Sequence, residues 1–87
     1  MTTTEVIRRR LEHFHPVALN IVDDSAAHAG HAGAAAGGGH FHLTIVSEQF
    51  KGKLPVARHR MIYEALSDLM HKEIHALQIE AFTPDQL

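Results

Sequence analysis

"HFHLTIVSEQFKGKLPVARHRMIYEALSDLM", residues 40–70, contains two different periodicities joined by a turn. At its start Phe41, Leu43 and Ile45 alternate with His42, Thr44 and Val46, the period of two expected of a strand with one buried face. Toward its end Ile62, Ala65, Leu66, Leu69 and Met70 recur at the three-and-four spacing of an amphipathic helix. Between them "EQFKGK" reads as a turn with Gly52 as its flexible point. Pro55 suits the opening of the helix, where a missing N–H has no intrahelical partner to lose.

Downstream, "IHALQIEAF" (74–82) reads as another strand, with Leu77, Ile79 and Ala81 on one face, and "TPDQL" as a closing helical turn. Upstream, "TTTEVIRRRLEHF" (2–14) reads as a helix capped by Thr3 or Thr4, with Val6, Ile7, Leu11 and Phe14 at helical spacing and Pro16 ending it. "ALNIVDD" (18–24) follows as a strand with Leu19 and Ile21 on one face. Residues 26–39, almost all Ala, Gly and His, form a flexible low-complexity loop. An antiparallel hairpin with an unusually long loop is the simplest joining of the strands on either side. The order helix, strand, strand, helix, strand implies an α+β fold: one domain spanning 1–87, a three-stranded sheet covered by helices on one face.

With 87 residues, 45% of them hydrophobic and 21% charged, the chain has the size and composition of one small globular unit. The formal net charge of -2 supplies no global basic field toward nucleic acid or anionic lipid. Cysteine is absent, so the chain has no thiolate with which to attack a substrate or hold an iron–sulfur cluster unaided. Neither a signal peptide nor an apolar run of membrane-spanning length is evident, and the cytoplasm is the expected compartment.

Nine histidines are the compositional departure. His28 and His31 lie three apart in the Ala/Gly loop, where they are either a solvated pair or an arm that can carry an imidazole to a metal. His40 ends the loop, and His42 reads as a strand-surface residue. His59 falls three and seven residues before Ile62 and Leu66, which marks it as a buried structural histidine. His75 opens the last strand with the parity of Leu77 and Ile79, while His13, His15 and His71 read as surface residues.

"RRR" at 8–10 is a solvated helix surface. Lys51, Lys53, Arg58 and Arg60 gather around the Gly52 turn and the following helix start, a weak signal for phosphate or for an acidic partner surface. No phosphate loop, activated nucleophile or paired carboxylate is evident, which points to a binding or adaptor module and not an enzyme.

The chain resembles the BolA family in "HF" at the second strand, "VSEQFKGK", "RHRMIYEAL" and "IHALQIEAFTP", and the likeness extends over nearly its whole length. Residues 34–39 depart from it, being plain Ala and Gly. The resemblance implies a class II KH-like α+β fold and a heterodimer with a monothiol glutaredoxin, the chain being a monomer by itself and away from membranes. It further implies a [2Fe–2S] cluster bridged between the two proteins. Sulfur would come from the glutaredoxin cysteine and glutathione; histidine would come from His75 and from the loop, where His28 and His31 both match. Histidine in place of cysteine on one iron removes negative charge and raises the reduction potential. The rival implication is transcriptional regulation by direct DNA binding, although the Gly52 turn lacks the GXXG of an RNA-clamping KH loop. A His-only site for zinc or copper would need no partner.

Overall fold

Strand β2 (Gly39–Val46) is the middle of a three-stranded sheet with β1 (Ala18–Asp23) on one side and β3 (Ile74–Phe82) on the other. The computed structural model describes residues 1–25 and 38–87. β1 runs antiparallel to β2, from Ala18 opposite Val46 to Asp23 opposite Phe41, as a hairpin requires. β3 runs parallel to β2, with Phe41 opposite Leu77 and Ile45 opposite Ala81. A parallel neighbour needs a crossover connection, and helix α2 (Pro55–Ala65) supplies it. The fold is therefore α+β with a mixed sheet.

Phe41, Leu43 and Ile45 face the helices, as their alternation predicts. Against them pack Ile7 and Leu11 of helix α1 (Thr3–Leu11), Ile62 of α2, and Phe14, Phe50, Leu66, Leu69 and Ile74. Leu19, Ile21, Leu77, Ile79 and Ala81 border this core, so each strand buries the face its sequence marks. Both helices thus cover the same side of the sheet.

Element ends follow from local chemistry. The cap of α1 is Thr2, not Thr3 or Thr4: its hydroxyl accepts from the Glu5 N–H at 3.1 Å while the Glu5 carboxylate accepts from the Thr2 N–H at 2.9 Å. Glu5 selects the threonine three residues before it, because only that spacing closes both bonds. The chain leaves α1 through a short 3-10 turn (Glu12–Phe14) and His15 in the left-handed region. Gly52 has φ +77°, the conformation for which the turn needs a glycine. α2 stops at Ala65, short of Met70, and a 3-10 turn (Ser67–Leu69) carries the apolar stripe onward, keeping Leu66 and Leu69 buried. The closing turn is present as Pro84–Gln86.

Two polar residues hold the end of the sheet where β2 and β3 finish. The buried Ser47 hydroxyl donates to the Phe14 carbonyl at 2.6 Å and accepts from the Gln49 N–H at 3.1 Å. Arg58 is buried, contrary to its reading as a surface cation. Its Nε donates to the Lys53 carbonyl at 2.8 Å, and its Nη1 donates to the Ala81 carbonyl at 2.9 Å and to Gln86 Oε1 at 2.7 Å. His59, expected in the core, is only half-buried. Both residues sit at helical spacing from Ile62, four and three positions away, and the guanidinium takes the inward one because it finds three oxygens there.

At the helix junction Arg10 forms a two-pronged ion pair with Asp68, one prong being Nη2 to Oδ2 at 2.8 Å. That bond from Arg10 holds the Asp68 carboxyl down at about 2, against an ordinary 3.8. A carboxyl whose folded value lies below its unfolded value stabilises the fold fully above the unfolded value and loses that contribution as acid protonates it. Wild type and Asp68→Asn should therefore differ in stability at neutral pH and converge as pH falls from about 4 toward 2, followed by denaturant unfolding at each pH. The difference should be small, because the pair is exposed. Arg58→Ala should cost about 2–4 kcal/mol in the same measurement, and Arg58→Lys should recover little, since an ammonium cannot serve three oxygens in a fork.

Candidate metal centre

Parallel pairing brings the starts of β2 and β3 together, and a register shift lies there. Gly39 is opposite Ile74 but the next residue, His40, is opposite Ala76, so β3 carries His75 as an extra residue. A bulge re-aims the residue it inserts. Ile74 is fully buried and Leu77 borders the core, yet His75 between them is exposed. The parity it shares with Leu77 and Ile79 in sequence is thus broken.

The ring of His40 lies beside that of His75, with centroids 5.2 Å apart and planes tilted by 44°. Backbone contacts fix the surroundings of both. The Gly39 N–H donates to the Glu73 carbonyl at 3.0 Å, and the His40 N–H donates to Ser25 Oγ at 3.2 Å. The Asp24 N–H donates to the His40 carbonyl at 2.7 Å. Gly38 crosses directly over His75: a Cβ on Gly38 would lie 2.5 Å from His75 Cβ and 3.0 Å from its Cα and N. Only a residue without a side chain passes there. A cavity of about 180 Å³ adjoins His40, lined also by Asp24, Phe41, Ala76 and Gln78.

His28 and His31 lie outside the described residues. Their segment begins after Ser25 and rejoins at Gly38, and both of these anchors belong to the shell just described. His42 faces away from the helices, with Nε2 2.8 Å from Glu80 Oε1, in agreement with its strand-surface reading. His13, His15 and His71 are exposed. Among the described residues no three His, Cys, Asp or Glu side chains converge as a metal cage. Two neutral imidazoles are a borderline donor set that suits iron or zinc and leaves further positions for outside ligands.

The basic residues take the other end of the sheet, where Arg58 bonds the end of β3. Lys51, Lys53 and Arg60 are exposed beside Leu54 and Val56, which are 75% and 68% exposed, while Arg58 is turned inward. The partnership of His40 with His75 is absent from the reading of the sequence. The signal for it was the strand–helix–strand order itself, which implies a parallel pair whose starts lie side by side.

This mixed-sheet architecture has close counterparts among solved structures. The solved structure of the BolA domain of SufE1 from Arabidopsis thaliana superposes with a TM-score of 0.85 at 42% identity, covering 100% of this chain and 99% of that one. The full-length SufE-like protein 1, chloroplastic/mitochondrial, of the same plant is 45% identical over 93% of this chain, which spans 24% of that relative's length. The DNA-binding transcriptional regulator BolA of Vibrio cholerae is 37% identical over 94% of this chain and 76% of its own. The family model described as BolA-like protein matches residues 11–86, and the chain belongs to the BolA family. No helix among the described residues is long and apolar enough to cross a membrane.

Gly38→Ala should disturb this site before anything else, since the atoms it meets belong to backbone and Cβ and cannot swing aside. A loss of about 1–3 kcal/mol is expected from the overpacking. Imidazole resonances of His40 and His75 in long-range 1H–15N NMR spectra should shift while that of His59 stays in place.

Proposed function

We propose that this chain is an adaptor in iron–sulfur cluster or iron homeostasis, not an enzyme, which binds a monothiol glutaredoxin and supplies His75 to a [2Fe–2S] cluster shared between the two. The observation that carries this reading is the placement of His75: an exposed imidazole lifted out of register by a bulge, with both anchors of the histidine-bearing segment beside it. From Ser25, His28 is three residues away and His31 six, reaches of at most about 11 and 22 Å for extended chain. Either can deliver the second imidazole that the family resemblance draws from this segment.

The cluster supplies the electron-transfer chemistry and is the shared cargo. On this chain His75, with a loop histidine, would hold one side of it. An imidazole leaves as a neutral group, so a cluster passed to an acceptor strands no thiolate on this chain. Sulfur must come from the partner and glutathione, because this chain has no cysteine.

A second reading, binding to DNA, is favoured by the similarity to the Vibrio cholerae regulator and by exposed Lys51, Lys53 and Arg60. It stands behind the first because Arg58 is spent inside the fold and the net charge is -2. Three exposed cations give weak binding that salt readily abolishes.

The test is anaerobic reconstitution of the chain with a monothiol glutaredoxin and glutathione, followed by visible circular dichroism. The chain alone should stay colourless, and the pair should develop a cluster spectrum. His75→Ala should change that spectrum more than His42→Ala does. Equal and small effects would remove His75 as a ligand, and a stoichiometric cluster on the chain alone would overturn the role of partner sulfur.

A further inference from the structure

The two edges of the sheet, β3 and β1, are not alike. Along β3 the Phe82 carbonyl bonds inward, to the Ser47 N–H that follows β2. Even-numbered residues therefore bond β2, and Leu77, Ile79 and Ala81 turn their backbone groups outward. Two of those carbonyls are already occupied: Leu77 accepts from the Tyr63 hydroxyl at 3.3 Å and Ala81 from Arg58 at 2.9 Å. Side chains of α2 thus cover that edge.

β1 lacks such cover. The Asp24 N–H donates to the His40 carbonyl, continuing the ladder in which Asp23 lies opposite Phe41. Even-numbered residues again face β2, so Leu19, Ile21 and Asp23 point their N–H and C=O groups away from the sheet. Arg8 of α1 reaches the Leu19 carbonyl at 3.5 Å, long for a hydrogen bond. Among the described residues no side-chain donor reaches the carbonyls of Ile21 or Asp23. The strand "ALNIVD" also has neither Lys nor Pro, residues that commonly blunt an exposed edge.

We infer that β1 pairs antiparallel with β1 of a second copy of this chain, Ile21 lying opposite Ile21 on the two-fold axis. Charge singles out this occupant and this register. The axis puts Leu19 of one copy opposite Asp23 of the other, and Arg8 stands beside Leu19. Leu19 and Ile21 border the core, so by alternation the exposed Asp23 side chain points to the same helix-covered face. Each guanidinium therefore meets a carboxylate of the other copy, twice by symmetry. The two Arg8 side chains stay apart, their Leu19 anchors being ~13 Å from each other along the strands. A slip of register separates Arg8 from Asp23 and loses the match.

This contact is an edge, smaller than the ~1,200–2,000 Å² of a stable interface, so the dissociation constant is expected at ~0.1–1 mM. The monomer implied by the family resemblance is then the dilute form. His75 belongs to the opposite edge strand, and a second copy on β1 leaves it accessible. The inference does not rest on the cluster role.

The test takes the whole chain from ~0.02 to ~2 mM, a range that brackets this constant, by sedimentation velocity and 1H–15N NMR. The amides of Leu19, Ile21 and Asp23 should shift with concentration and gain exchange protection, while that of Ile79 should not. Arg8→Glu and Asp23→Lys should each weaken self-association about tenfold, because each sets like charges together twice. Mixing the two variants should restore association to within about threefold of wild type, since every pair across the mixed dimer is again of opposite sign. No self-association at ~2 mM, shifts centred on β3 instead of β1, or a mixture no tighter than the single variants would each overturn the inference. Should a variant fail to fold, the wild-type amide shifts decide.

Discussion

The arrangement of this molecule depends on the direction of β3. Because β3 runs parallel to β2, the strand starts share one end of the sheet and the strand finishes share the other. An antiparallel β3 would set its first residues beside the end of β2 and leave His40 far from His75. The parallel direction is enforced by the crossover: α2 must return along the buried face before the chain re-enters the sheet, and its apolar stripe pays for that return by covering Phe41, Leu43 and Ile45.

The two ends of the sheet then serve different purposes. At the finish, hydrogen bonds knit the pieces closely: the Ser47 N–H donates to the Phe82 carbonyl, Ser47 Oγ reaches Phe14, and Arg58 ties the turn before α2 to Ala81 and Gln86. At the start, the register shifts, Gly38 passes over His75 without a side chain, and a cavity opens beside His40. Stability is gathered where no ligand chemistry is on offer. At the irregular end the bulge turns the His75 ring outward.

Much of the fold was legible because its signals are local. Alternation at 41, 43 and 45 and the helical stripe through Ile62, Leu66 and Leu69 each name a buried face without reference to any other element. What failed was information that depends on a partner. A period of two looks the same beside a parallel or an antiparallel neighbour, so residue alternation did not reveal the direction of β3. A bulge inserts one residue without a mark in the sequence, so His75 seemed to share a face with Leu77. Arg58 and His59 both fit the helix stripe, and spacing marked only His59; the oxygens of Lys53, Ala81 and Gln86 that receive the guanidinium become neighbours only in the folded chain. The capping pair was within reach, since a threonine three residues before Glu5 is a recognisable spacing.

The absence of cysteine acquires its meaning from this geometry. A chain with a thiolate at the strand starts could hold iron tightly by itself and would release it with difficulty. Imidazoles alone bind less tightly and leave uncharged, so firm retention requires sulfur from elsewhere. Two imidazoles side by side cannot by themselves complete a four-coordinate site. The register shift at Gly39 and His40 is the structural detail that turns His75 outward beside His40.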